Sequence, residues 1–116
     1  MKHVLQTFKA CCLLLCLAVA GPVVGQNVFI NEIHYDNEGA DTGEAIEVAA
    51  PAGTDLSGWS LVLYNGSNSA PYSTTPLSGV MADQSGGYGF LEVAVSGIQN
   101  GAPDGVALVN AENTVI

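Results

Sequence analysis

Glycine or proline interrupts this chain so often beyond residue 26 that a long helix has no room to form. Gly39, Gly43, Pro51, Gly53, Gly58, Gly66, Pro71, Pro76 and Gly79 follow one another at short intervals. No segment there carries a 3.6-residue apolar period. Between the breaks lie short runs in which apolar and polar residues alternate, the pattern of a strand with one buried face. Val28–Tyr35 puts Phe29, Ile33 and Tyr35 on one face and Glu32 and His34 on the other. Glu44–Ala49 turns Ile46 and Val48 inward and Glu47 outward. Trp59–Tyr64 aligns Trp59, Leu61 and Leu63, and stops at Asn65-Gly66, a hairpin dipeptide. Tyr88–Val95 aligns Leu91, Val93 and Val95, Val106–Val109 follows Asp104-Gly105, and Asn113–Ile116 begins another strand. Gly66–Gly87 is rich in Ser, Thr, Gly and Pro and reads as an irregular loop with one short strand near Ser78–Met81. Short strands with turns between them, and no internal repeat or second domain, predict an open all-β sandwich. Trp59 is expected at the centre of its core, because a ring of that size dominates burial in a small domain.

The start of the chain reads differently. Lys2, His3 and Lys9 precede an apolar run from Ala10 to Ala20, and Ala18 and Ala20 give an A-x-A pattern before Gly21. Basic start, apolar stretch and small residues in that order predict a helical signal peptide over residues 1–25, cleaved after Ala20 or Gly25. The apolar run is shorter than the roughly 20 residues that span a bilayer. The remaining segment, 26–116, is expected to be one secreted domain, extracellular or periplasmic. Cys11, Cys12 and Cys16 all lie in the leader, so the domain has no disulfide, zinc-thiolate site or cysteine nucleophile. Lys2 and Lys9 are the only two Lys or Arg residues, whereas all eleven Asp and Glu residues lie in the exported part. Nucleic-acid affinity comes from Lys and Arg displacing counterions from phosphate. The composition therefore excludes nucleic acid as a partner, and anionic membrane surfaces once the signal is cleaved.

Three segments carry a family likeness. Val28-Phe29-Ile30-Asn31-Glu32-Ile33-His34-Tyr35-Asp36-Asn37 followed by Gly43-Glu44-Ala45-Ile46-Glu47-Val48 resembles the opening of a bacterial lamin tail domain. Asp55-Leu56-Ser57-Gly58-Trp59-Ser60-Leu61 resembles that family's D-L-S-G-W/Y-x-L segment. Gly97 to Val109, with Ala102-Pro103-Asp104-Gly105-Val106-Ala107-Leu108-Val109, resembles its G-x-P-D-G-x-A-L-V segment. The resemblance runs from Val28 to Ile116. It implies an immunoglobulin-like β-sandwich of lamin-tail type, an accessory module often found beside a hydrolase domain or a cell-surface region, and it transfers no catalytic residues. Ala45 stands where the family has an aromatic, and Ala49-Ala50 replaces an aromatic-Asn pair, which implies looser packing at that strand. The family also continues past Ile116 with a further strand, so the sandwich is expected to be incomplete at its C-terminal strand and the native chain to run on.

The residues that carry chemistry are acidic. Asp36, Glu38, Asp41 and Glu44 fall within nine residues of a glycine-containing loop and would offer oxygens to Ca²⁺, although the D-x-[DN]-x-[DN]-G spacing of an EF-hand is absent. The alternative is a solvated acidic loop joining two strands; beyond calcium no cofactor is expected. Glu32, His34 and Glu47 project from the outer faces of two strands expected to be neighbours, and would suit acid–base work only within a cleft; a solvated sheet face is the simpler reading. Gly58 and Gly66-Ser67 lie outside any G-x-S-x-G elbow. Asn65-Gly66-Ser67 matches a glycosylation sequon, and Tyr64, Tyr72 and Tyr88 are candidates for a carbohydrate-binding surface.

The expectation is a non-catalytic binding, targeting or structural module whose partner is an unidentified protein or surface ligand. The alternatives are an accessory domain of a secreted endonuclease- or phosphatase-type hydrolase lying downstream, and a calcium-dependent adhesion module. The charge argument is directly testable. Residues 26–116 are expected to leave DNA and RNA unshifted in gel mobility at low salt; a shift that strengthens as salt is lowered would refute it.

Overall fold

The computed structural model describes residues 27–116. The expected signal segment 1–25 and both expected cleavage positions, Ala20 and Gly25, lie outside the described residues. Six strands follow in chain order: β1 Phe29–His34, β2 Ala45–Pro51, β3 Ser60–Asn65, β4 Ala70–Pro76, β5 Tyr88–Ala94 and β6 Gly105–Val109. They form two antiparallel three-stranded sheets, ordered β1-β2-β5 and β4-β3-β6. The chain is all-β, with no helix among the described residues.

The two middle strands explain the layering. In β2, Ile46, Val48 and Ala50 point inward; in β3, Leu61 and Leu63 do, and all five are fully buried. Leu91 and Val93 of β5 and Leu108 and Val106 of β6 pair with these rows and join the same core. The expected inward alternation of Ile46 and Val48, Leu61 and Leu63, and Leu91 and Val93 is therefore present. The chain end also turns back onto β6, with Val115 bridging Val109 and the Ile116 N–H donating to the Leu108 carbonyl at 2.9 Å.

Three expectations are corrected. Trp59 is half-buried and packs against the core from outside it, whereas Leu56, three residues earlier, is fully enclosed. A turn links the two: the Trp59 N–H donates to the Leu56 carbonyl at 3.0 Å, so Trp59 ends the approach to β3. Asp55 organises the same turn, accepting from the Ser57 N–H at 2.9 Å. The Ser57 hydroxyl and then its backbone N–H hold the Asp55 carboxyl below its ordinary value of 3.8. That contribution is present above the ordinary value and is lost as pH falls through the lowered one.

The segment read as an irregular loop contains β4, a full edge strand. Its inward residues opposite Leu61 and Leu63 are Thr75 and Ser73, so no apolar alternation marks it. Pro71 and Pro76 lack a ladder donor, which an edge strand tolerates. Ser78–Met81 contributes only an isolated bridge between Val80 and Asp55.

The third correction concerns β1. Phe29 and Ile30 pair with Ala49 and Val48, but Glu32 and Ile33 pair with Glu47 and Ile46, leaving Asn31 as an extra residue. This β-bulge shifts the side-chain alternation by one. Ile30 and Ile33 share the inner side, and Phe29 joins Glu32 and His34 on the outer side. Ala49 and Ala50 are both fully buried.

Close approach makes Gly89 of β5 a sensitive position. A Cβ there would overlap the Ala82 carbonyl oxygen and lie 3.0 Å from the Met81 Cβ. Gly89→Ala is expected to cost about 1–3 kcal/mol in urea denaturation. Gly105→Ala in β6 meets nothing within 4 Å and should leave stability unchanged; equal losses at the two positions would contradict this packing.

Candidate binding face

The outer side of the β1-β2-β5 sheet collects residues of two kinds in consecutive rows. Glu32, Glu47 and Glu92 stand directly opposite one another across β1, β2 and β5. One row along lie Phe29, Ala49 and Phe90, and beyond them Pro51 pairs with Tyr88. The Phe29 and Tyr88 rings stack tilted, with centroids 6.4 Å apart. Ala49 is fully buried although it points away from the core, and it is paired between Phe29 and Phe90. In the other direction the row is His34, Ala45 and Ala94. The bulge is what assembles this face: without it Phe29 and Glu32 would lie on opposite sides of β1.

Like charges directly opposite on a sheet oppose folding. Residues 27–116 contain neither Lys nor Arg to offset them. Asn31, carried out by the bulge, donates from its side-chain amide to Glu47 Oε1 at 2.6 Å. His34 instead faces Asn37, its Nε2 lying 3.2 Å from the Asn37 amide nitrogen. The sequence identifies Glu32, His34 and Glu47 as outward neighbours, and the structure brings Glu32 and Glu47 together. Sequence reading misses Glu92 and Phe90, whose only signal is their position opposite Leu91 and Val93 in an alternating run.

The four residues of the acidic loop go separate ways. Asp41 Oδ1 accepts the Asn37 N–H at 3.2 Å, and the Asn37 side-chain oxygen accepts the Thr42 N–H at 2.8 Å, folding the loop on itself. Glu44 turns away to the segment after β5, where its two oxygens accept the Gly97 and Ile98 N–H groups at 2.6 and 2.9 Å. Asp36 and Glu38 are exposed. Among the described residues no group of three or more His, Cys, Asp or Glu side chains is placed to hold a metal ion.

The segment 97–104 is held from several sides. The Gln99 N–H donates to the Tyr72 hydroxyl at 2.9 Å, and Asn65 donates from its side-chain amide to Gln99 Oε1 at 2.8 Å. Asp104 Oδ1 accepts the Gly66 N–H at 2.8 Å. Tyr72 reaches Gln99 because it is the extra residue of a second bulge, between the Leu63–Ser73 and Tyr64–Pro71 pairs. A cleft of about 230 Å³ lies beside this segment, lined by Ile33, Tyr35, Ile98 and Val106 among others. The three tyrosines proposed for carbohydrate are divided between the sheets: Tyr88 lies on β5 of the β1-β2-β5 sheet, and Tyr64 and Tyr72 on the paired strands β3 and β4 of the other.

Fold and face together define an all-β domain of two antiparallel sheets, one of which carries adjoining aromatic and acidic rows on its outer side. Compared with models of protein families, with curated proteins and with solved structures, the chain matches none.

Glu44 illustrates how this end of the domain is held. Glu44→Ala is expected to cost about 1–3 kcal/mol, the scale for losing charge-assisted hydrogen bonds. Amide exchange at Gly97 and Ile98 should quicken while that at Ile46 stays slow. Unchanged exchange at Gly97 and Ile98 would show that the carboxylate is not their partner.

Proposed function

We infer that this chain is a secreted, non-catalytic module of the immunoglobulin-like, lamin-tail type that works by binding, targeting or scaffolding. The observation that carries this reading is the division of labour among its carboxylates. Glu32, Glu47 and Glu92 stand on an open sheet face, where water screens them and no wall encloses a reacting group. Glu44 and Asp104, which border the recessed parts of the surface, already serve as acceptors for the backbone amides of Gly97, Ile98 and Gly66. Acid–base catalysis calls for the opposite arrangement, with poised carboxyl groups in a cleft and the structural ones outside it.

The three motif segments support the family reading in another way, because each performs local structural work. Asp55 and Ser57 form the turn into β3, Glu44 fastens the 97–98 backbone, and Asp104 fastens the β3–β4 turn at Gly66. Such positions are those a scaffold needs irrespective of its ligand. The signal-like segment ahead of Gln26 supports export.

Purified residues 26–116 are expected to show no turnover of phosphodiester, phosphomonoester, carboxylic ester or glycoside substrates. Turnover that disappears in Glu32→Gln or Glu47→Gln would overturn the module reading.

A further inference from the structure

We propose that the outer face of the β1-β2-β5 sheet binds an extended, Arg- or Lys-bearing polypeptide segment of a partner protein, with a basic side chain over the Glu32–Glu47–Glu92 row and an apolar one over Phe29 and Phe90. The proposal rests on the module reading and names the chemistry of the partner. Two independent features of the same face lead to it. The first is an aromatic surface outside the core: Phe29 and Phe90 are half-buried on an outward face, and Tyr88 retains 36% of its surface exposed beside them. The second is the adjoining row of three carboxylates, which no Lys or Arg of residues 27–116 offsets.

The occupant follows from charge and spacing. Residues 27–116 contain no Lys or Arg, so a second copy of this domain would bring carboxylates against carboxylates. The complementary cation has to come from outside these residues. Neighbouring strands lie about 4.8 Å apart, so the three carboxylates span roughly 10 Å and a guanidinium fits between two of them. Rows on one face of a strand recur every two residues, about 7 Å. Side chains on one face of an extended peptide recur at the same interval. A segment lying along the strands therefore sets residue i over the glutamates and residue i+2 over the aromatic row. Arginine suits this position best, because its guanidinium pairs with carboxylates and its flat face packs on aromatic rings.

The test uses residues 26–116 and a capped decapeptide of Arg-Ser-Tyr-Ser repeats, in which Arg and Tyr share one face. A second peptide of the same composition places Arg and Tyr on opposite faces. Binding by the first peptide is expected to shift the amide resonances of Glu47, Ala49, Phe90 and Glu92, to weaken with salt, and to exceed that of the second peptide. Glu47→Gln with Glu92→Gln is expected to weaken it about tenfold, the sum of two exposed charge pairs. This double variant should melt at a higher temperature than the parent, because it removes opposed like charges. Glu38→Gln with Glu112→Gln removes the same net charge elsewhere and should change affinity by less than about threefold. Tyr88→Ser should weaken binding without altering its salt dependence.

Equal losses in the two double variants would reduce the effect to net charge and overturn the proposal. So would shifts confined to residues 36–44, no binding of the first peptide, or a response of this face to Ca²⁺ or a chito-oligosaccharide in its place. None of these outcomes bears on the turnover assay, which judges the module reading separately.

Discussion

β2 and β3 are each hydrogen-bonded on both sides, and each presents fully buried aliphatic residues to the other sheet. Ile46 and Val48 meet Leu61 and Leu63 in one core, and the outer strands are positioned by pairing with them. This arrangement lets β4 carry Ser73 and Thr75 on its inner side. An edge strand whose ladder partner is already fixed needs little apolar surface of its own. It also leaves β4 with prolines and hydroxyls that discourage edge-to-edge association.

The same hierarchy explains what the sequence makes legible. Alternation in Ile46–Glu47–Val48, Leu61–Leu63 and Leu91–Val93 is a local property and marks buried strands directly. The face occupied by Phe29 is not local. It depends on Asn31 being skipped in the ladder, which is settled by the pairing partner and not by β1 itself. Trp59 is misread for a related reason: its size argues for the centre of the core, but it follows the turn bond to Leu56 and packs against the core from outside. Glu44 shows the longest reach of all. It belongs to one short loop with Asp36, Glu38 and Asp41, and its hydrogen-bond partners lie 53 and 54 positions along the chain.

The two bulges and the polar tethers divide the labour between rigidity and display. One bulge brings an aromatic ring and a carboxylate to the same outer face; the other sends Tyr72 to the backbone of Gln99. Around the 97–104 segment, side chains from Glu44, Asn65 and Tyr72 supply hydrogen bonds that no sheet ladder provides there. Residues 27–116 contain no cysteine, so these bonds, and no disulfide, hold this long connection.

The bulge at Asn31 also has a consequence for how such strands diverge. Ile30 and Glu32 face consecutive partners, Val48 and Glu47, so removing Asn31 would leave every other residue of β1 on its present side. A length change of one is therefore cheap at that position and disruptive on either side of it. Related strands that lack the extra residue would align correctly only with a gap opened inside β1. A comparison that allows gaps only in loops would bring one half of the strand into register and invert the faces of the other.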